Sequence, residues 1–485
     1  MNILRRTKIV VTLGPALDDA EMLRRVITIG ADVFRANFSH GNKETHEQRI
    51  TTVRNIAAEL DKNVAILLDL QGPKIRIGRF KTGKIHLKEG QSFILDTTLE
   101  GETGDEQTVG LDYKNLPNDV RAGDTLLLDD GRLEFRVQRV DKTRVYCEVI
   151  AGGDLSNNKG INRQGGGLSA GALTEKDRED IQTAAKLGAD YLAVSFPRSA
   201  DDIKEARILL KAAGGKAGIV AKIERTEAIT NLQEIIAASD AIMVARGDLG
   251  VEIGDAELPA IQKKLIRVAR SLNKPVITAT QMLESMINST IPTRAEVSDV
   301  ANAVLDGTDA VMLSAETAAG KYPDKAVAAM NRICLSAEKH WSSKTNRQRR
   351  EPHFNYVDEA IAMATMYTAN HLDIKAIITL TESGTTPLWM SRVKSSIPIY
   401  GLSRHPETLR RMTLYRGVFP IQFDATHIDR RNLNQAAVAE LEKRNILQRG
   451  DLVIITKGDL IGIHGRTNSM KIVTVGSVPN HLAAK

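Results

Sequence analysis

One recurrence constrains this chain more than any other feature. Short, continuously apolar, β-branched runs return along its first two thirds, and nearly every one is followed by a helix-like stretch. They are TKIVVTL (7–13), ADVFRANFS (31–39), VAILLDL (64–70), DYLAVSF (190–196), GIVAKIE (218–224), AIMVARG (241–247), PVITATQ (275–281) and AVMLSAE (310–316). Runs without polar alternation suit parallel strands buried on both faces. The intervening segments, such as KETHEQRITTVRNIAAEL and TEKDREDIQTAAKLG, carry helical periodicity and often close on glycine. Eight such units predict a TIM (β/α)8 barrel.

The recurrence is broken once. Between the third and fourth runs, KIRIGRF, KIHLKEG, SFILDT, DTLLLDDGRLEFRV and RVYCEVI alternate apolar and polar positions around TG, EG and DDG turns. That pattern predicts an inserted small β-barrel domain. It leaves the C-terminal end of a barrel strand, where barrel active sites are built, and so is placed to act as a lid. After Lys339 the polar, basic WSSKTNRQRREPHFNY reads as a linker. Beyond it, helical and strand-like runs alternate again, predicting a C-terminal open α/β sheet domain. The expected division is barrel at 1–73 and 172–340, β lid at 74–171, linker at 341–356 and α/β domain at 357–485.

Composition narrows the function classes. The 66 Lys and Arg against 60 Asp and Glu leave +6, with no long basic run and no basic stripe interleaved with aromatics. The small excess is weak evidence for a nucleic-acid partner and fits a basic pocket for an anionic metabolite equally well, while the lack of such a stripe argues against nucleic acid. Two cysteines, Cys147 and Cys334, make neither a disulfide framework nor a zinc site, so a reducing cytoplasm is expected. No apolar run approaches the roughly 18 uncharged residues of a membrane span. The opening MNILRRTKIVVTLGP is interrupted by Lys8 and ended by Gly14-Pro15, which does not read as a signal peptide.

Polar residues at the C-terminal ends of barrel strands point into the site. Strand two ends with Arg35, Asn37, Ser39 and His40; strand three with Asp69, then Gln71, Lys74 and Arg76. Strand four gives Ser195, strand five Lys222 and Glu224, and strand six Arg246, Gly247 and Asp248. Strand seven adds Thr280 and Gln281, and strand eight Ser314 and Glu316. Ionisable groups on buried strands cost several kcal/mol unless paired or metal-bound, so the set needs a cause. A ring of structural salt bridges would serve for any one residue but poorly for all. Lys222 and Glu224, two apart on one strand, share a face, and Asp248 one strand over can converge with Glu224. Two carboxylates with substrate oxygens and water make a Mg2+ (or Mn2+) site. A lysine beside it suits the charge on a phosphoryl group in transfer.

At these residues the chain resembles the pyruvate kinase family. The resemblance lies in RANFSHG (35–41), DLQGPKIR (69–76), GINRQGGGLSAGALTEKD, VSFPR (194–198), AKIER (221–225), MVARGDLGVEI (243–253), TATQMLESM (278–286) and PTRAEVSDVANAVLDGTDAVMLSAETAAG (292–320), and runs in one order from Thr7. It implies phosphoryl transfer from phosphoenolpyruvate to ADP, giving pyruvate and ATP. It also implies roles. Lys222 matches the lysine that stabilises the phosphoryl, Glu224 and Asp248 the metal ligands, and Arg35 a phosphoryl contact. Gly247 with Asp248 opens a helix whose amides would receive the substrate carboxylate. Thr280 matches the residue beside the enolate, with Glu316 and Ser314 in the same proton relay. Asn37, His40, Arg76 and Lys176 match nucleotide-side contacts. A homotetramer is implied as well.

One departure from many members of that family bears on cofactors. They hold K+ with residues matching Asn37, Ser39 and Asp69, and carry a glutamate where this chain has Lys74. The expectation is that the Lys74 ammonium replaces K+, which is then not required; a solvated Lys74 with K+ still bound at Asp69 is the alternative. Rival readings are another Mg2+-dependent barrel enzyme that forms a pyruvate enolate, and a catalytically silent binding protein.

In the C-terminal segment, strand AIITLT runs through Thr381, Glu382, Ser383, Gly384, Thr385 and Thr386 into a helix. Hydroxyls and a glycine at a helix start make an anion cup, or an ordinary Ser/Thr cap. The resemblance implies a phosphorylated effector there, a sugar phosphate or nucleotide monophosphate, although Thr385 stands where several relatives have arginine. GIHGRTNSMKI (462–472) is placed to close over it.

Overall fold

A computed structural model describes residues 4–339, 354, 356–459 and 467–476. Eight parallel strands close into a barrel: β1 (Lys8–Thr12), β2 (Val33–Asn37), β3 (Ala65–Asp69), β12 (Tyr191–Val194), β13 (Gly218–Ile223), β14 (Ala241–Ala245), β15 (Val276–Ala279) and β16 (Ala310–Leu313), with β1 pairing both β2 and β16. Their continuous apolar character follows from burial on both faces. Ile9, Val11, Leu68, Ile219 and Val244 pack outward against the surrounding helices. Val10, Leu67, Val220, Met243 and Met312 fill the interior and share one apolar cluster with Ile377 and Met412 of the C-terminal domain. That domain therefore seals the barrel at the end away from the strand C-termini. Each aliphatic side chain so buried contributes about 1.5–3 kcal/mol.

The inserted segment carries β4 (Lys84–Leu87), β5 (Ser92–Asp96), β6 (Thr108–Gly110), β7 (Thr125–Leu128), β8 (Leu133–Asp141), β9 (Arg144–Ala151), β10 (Gly153–Ser156) and β11 (Ile161–Arg163). They form a six-stranded sheet, ordered β11-β7-β8-β9-β5-β6, and a β10-β4 ribbon. Isolated bridges Arg76–Gly160, Ile77–Leu111 and Phe80–Gly104 tie the segment entering the domain to the chain around the sheet. A separate core containing Phe80, Phe93 and Phe135 fills the domain.

The C-terminal sheet, ordered β19-β18-β17-β20-β21, consists of β17 (Ala376–Leu380), β18 (Ile399–Ser403), β19 (Val418–Gln422), β20 (Leu452–Gly458) and β21 (Thr467–Thr474). Only β21 runs antiparallel. Of the expected linker 341–356, all but 354 and 356 lies outside the described residues, as does 462–466 of the segment expected over the effector loop.

Buried ion pairs join barrel and C-terminal domain. Arg392, the residue after helix Thr385–Ser391, makes a two-pronged bond to Asp309 at the foot of β16, and both side chains are fully buried. Burial pushes the Asp309 carboxyl up, but Arg392 outweighs it and holds it below the ordinary range. A depressed carboxylate contributes stability that is present above the ordinary carboxylate range and is lost as pH falls through its own lowered value. Arg392→Met strands Asp309 in the interior and is expected to cost about 3–5 kcal/mol, read as a lower urea midpoint. An unchanged midpoint would mean that the pair carries no net stability.

Candidate active site

The strand ends at the barrel mouth are built around one ammonium. Lys222 on β13 keeps only 11% of its side chain exposed, and its Nζ lies 2.7 Å from Ser195 Oγ, 3.0 Å from Glu224 Oε1 and 3.2 Å from Asp69 Oδ1. Burial alone would lower its pKa, but Asp69 and Glu224 overcome that and raise it. The lysine is therefore a permanent cation, with its three donors facing three oxygens.

Each carboxylate around it has its own setting. Asp69, at the end of β3, is fully buried. Its Oδ2 accepts from Arg35 Nε at 2.6 Å, and its Oδ1 faces Lys222 and, at 3.4 Å, Ser195 Oγ. Burial pushes it up, but Lys222 and Arg35 win and hold it below the ordinary range. Glu224 goes the other way. Burial raises it first, repulsion from Asp248 and Asp69 adds to this, and Lys222 offsets only part. Its Oε2 accepts from the Phe196 amide at 2.8 Å. Arg35 also donates to Thr12 Oγ1 at 3.1 Å.

Asp248 opens helix Arg246–Ile253, and its Oδ1 lies 3.4 Å from Lys74 Nζ. Lys74 stands on the segment leaving the barrel for the β domain, so that domain brings its own cation to the mouth. Gly247 N donates to Thr280 Oγ1 at 2.9 Å, and that hydroxyl donates to Ala279 O at 2.6 Å. Thr280 and Gln281 are both left-handed, at φ 66° and 52°. Adjacent non-glycine residues there cost of order 1–3 kcal/mol each, a strain the surrounding structure must hold. Arg246 supplies part of that support. It turns away from the mouth to Asp299 (2.7 Å) and to Thr280 O (2.6 Å), and so is one of the strand-end arginines that pair structurally.

Glu316 also braces this loop. Its two oxygens accept from Leu283 N at 3.2 Å and Ser314 N at 2.6 Å, and burial raises its pKa. On the other side of the mouth, Asn37 Oδ1 accepts from Ser39 N at 3.1 Å, and His40 is exposed. Lys176 Nζ reaches Phe38 O at 3.0 Å and pairs with Asp180. Arg76 donates to Asn158 O at 3.1 Å from the root of the β domain.

Sequence reasoning did not single out Thr12 or Phe196. Thr12 sits on β1 and looks like any β-branched strand residue. Phe196 acts through its backbone amide, which leaves no side-chain signal.

The loop from Thr381 to Thr386 closes on itself. Thr381 Oγ1 accepts from Gly384 N at 2.9 Å, Ser383 Oγ and Thr385 Oγ1 lie 2.8 Å apart, and Thr386 bonds Thr467 of β21 at 2.9 Å. Gly384 stands at φ 81°, where glycine is the unstrained choice. Glu382 turns back to His405 Nε2 at 2.5 Å.

A nearly enclosed lysine set among carboxylates, at the mouth of a parallel barrel interrupted by a β domain, belongs to a phosphotransferase. Comparison with known proteins gives the family. Residues 4–327 match the family model "Pyruvate kinase, barrel domain" and residues 359–473 match "Pyruvate kinase, alpha/beta domain". The chain is 58% identical to pyruvate kinase II of Salmonella typhimurium over 97% of its own length and 99% of the relative's. It is 57% identical to the pyruvate kinase of Haemophilus influenzae, covering 94% and 96% respectively. It is 55% identical to that of Buchnera aphidicola from Schizaphis graminum, covering 98% and 99%. The chain belongs to the pyruvate kinase family.

Proposed function

We propose that the protein transfers the phosphoryl group of phosphoenolpyruvate to ADP, giving pyruvate and ATP, at the mouth of its barrel. The observation that carries this is the Lys222 ammonium, held charged between Asp69, Glu224 and Ser195 with little exposure to solvent. A preorganised cation in a low-dielectric site stabilises charge on a phosphoryl in transfer without reorganising during the step.

Glu224 and Asp248 are the residues that would hold Mg2+ or Mn2+. They fit it, because their donors are all oxygen and Asp248 and Asp69 repel the Glu224 carboxylate, a repulsion that a divalent cation would relieve. Among the described residues no group of three or more His, Cys, Asp or Glu is disposed to hold a metal. Two carboxylates leave the remaining coordination positions to substrate oxygens and water. Bound there, the ion would neutralise phosphoryl and enolate oxygens.

The chain's other groups act around that point. Arg35 contacts the phosphoryl while held by Asp69 and Thr12. The Gly247 amide, bonded to Thr280 Oγ1 in the free site, receives the substrate carboxylate. The Thr280 hydroxyl, backed by Glu316 and Ser314, positions the proton that completes the methyl group of pyruvate. Asn37, His40, Arg76 and Lys176 serve the nucleotide. K+ is not required, because the Lys74 ammonium already stands in the site and both Asp69 oxygens are engaged by Lys222 and Arg35.

At the C-terminal domain, the loop of Thr381, Ser383, Gly384, Thr385 and Thr386 takes a phosphorylated effector. The exposed Ile208, Ile291 and Tyr367 suit the subunit contacts of a homotetramer. A cytoplasmic location agrees with two free cysteines, Cys147 and Cys334, whose thiols burial pushes up to about 12. Among the described residues no helix is long and apolar enough to cross a membrane. No partner among nucleic acids is called for.

A coupled assay for pyruvate tests the activity. Turnover is expected with phosphoenolpyruvate, ADP and Mg2+ together, and none once the metal is chelated. Absence of pyruvate under all conditions would favour an enolate-forming barrel enzyme or a silent binder. Sugar phosphates and AMP added to the same assay test the effector loop, with activation expected from at least one.

A further inference from the structure

The chain immediately after Glu224 grips the inserted β domain. The limb returning from that domain to the barrel passes through Gly165, Gly166 and Gly167, all left-handed at φ 79°, 80° and 95°. Three consecutive residues in that region are practicable only as glycine. Each is fastened to the barrel or to the limb itself. Gly165 N donates to the backbone carbonyl of Glu252 at 3.0 Å, and Gly167 N donates to Glu227 Oε1. A Cβ on Gly166 would lie 2.9 Å from Glu227 Oε1, a side-chain end that can give way, so it is the φ of 80° that favours glycine there. The Gly166 carbonyl accepts from Arg163 at 2.9 Å. Further along, Arg225 Nη1 donates to Leu168 O at 3.4 Å and to Ala170 O at 3.3 Å.

These grips lead back to the acidic pair. Arg225 follows Glu224 directly, and its guanidinium lies 5.5 Å from the centre of the Phe196 ring. The Phe196 amide in turn holds Glu224 Oε2 at 2.8 Å, and Phe196 is itself left-handed at φ 55°. Glu252 lies one turn beyond Asp248 on the same helix, and its carboxylate accepts from Thr226 N at 2.9 Å. Lys74, Leu168, Phe196, Arg225 and Asp248 line one small cavity between the β domain and the barrel. The outgoing limb thus reaches Asp248 through Lys74, and the returning limb reaches Glu224 through Arg225 and Phe196.

We propose that Arg225 and Glu227 are positioning residues that latch the returning limb of the β domain, so that the position of that limb sets where Glu224 stands. This rests on reading Glu224 and Asp248 as the metal ligands. Closing the β domain then completes the metal site, and binding of metal and substrate fastens the β domain. A one-ångström displacement of a ligand costs rate far more than ground-state affinity.

The test uses the full-length enzyme and amide hydrogen exchange of residues 165–170, with Mg2+ alone and with Mg2+ and phosphoenolpyruvate. In wild type, exchange is expected to slow when both are present. In Arg225→Met, exchange at 168–170 is expected to be about tenfold faster, with kcat lowered about tenfold and KM for phosphoenolpyruvate within about threefold. Arg225→Lys should recover most of both. Glu227→Gln, which keeps size and an acceptor oxygen, should loosen Gly167 more than Ala170. Equal exchange in wild type and Arg225→Met overturns the latch, whatever the activity does. Should Arg225→Met not fold, unchanged exchange at Gly167 in Glu227→Gln overturns it instead. Failure of the metal reading looks different: wild-type exchange would then ignore Mg2+ and phosphoenolpyruvate, which removes the coupling while leaving the grip.

Discussion

Lys222→Met is expected to lower kcat for pyruvate formation by about a thousandfold or more at saturating substrates and Mg2+. The side chain is replaced at nearly equal volume, so packing in β13 is kept. The ammonium is lost from a position where no other cation can take over, because Arg35 is committed to Asp69 and Thr12. The loss falls on kcat because the fixed charge matters most when the phosphoryl is between its two oxygens. Stability falls too. Asp69 and Glu224 keep their burial but lose the counter-charge between them, and breaking a buried pair in this way costs about 3–5 kcal/mol. A rise in each carboxyl's proton affinity softens that cost, since Glu224 is raised even in the intact site. Kinetics measured well below the unfolding midpoint separate the two effects. Equal turnover in Lys222→Met and wild type would remove Lys222 from the reaction.

The barrel was legible in the sequence because burial on both faces leaves a strand no freedom to alternate. Val10 packs inward and Val11 outward, and both must be apolar. The site was legible for the converse reason. Asp69 is fully buried and Lys222 nearly so, charges set into strands that are apolar elsewhere along their length. What the sequence did not disclose is which partner each charge takes. Arg246 reads like Arg35 at a strand end, yet it turns to Asp299 and braces Thr280. Glu316 reads as an acid and is engaged by two backbone amides. In the sequence Arg225 is only the tail of AKIER. Its partners are main-chain carbonyls some fifty-five residues away, and a carbonyl has no residue type to read. The two-pronged Arg392–Asp309 bond was likewise hidden, because it joins two domains whose docking neither strand pattern encodes.

Lys74 gives the second large effect. Wild type is expected to turn over fully in tetramethylammonium salts, whereas Lys74→Glu should fall about a hundredfold there and recover most of the loss on addition of K+. The charge argument sets the scale. A unit charge about 4 Å away at an effective dielectric near 20 is worth about 4 kcal/mol, and a hundredfold change is about 2.7 kcal/mol. The smaller figure is the reasonable one, since Lys74 is only half-buried and solvent screens it. The substitution reverses the charge 3.4 Å from Asp248, so it adds repulsion at a carboxylate that already raises Glu224. A monovalent cation relieves that repulsion without supplying any directional bond, which is why K+ can substitute for the ammonium. In the intact protein the same reasoning disfavours K+. The ammonium is already there, and Asp69 has both oxygens engaged by Lys222 and Arg35. Lys74→Met serves as the neutral control and should fall between wild type and Lys74→Glu, with a weaker K+ response. If wild type itself is nearly silent until K+ is added, Lys74 does not replace the ion, and K+ must be held in spite of the ammonium beside Asp248.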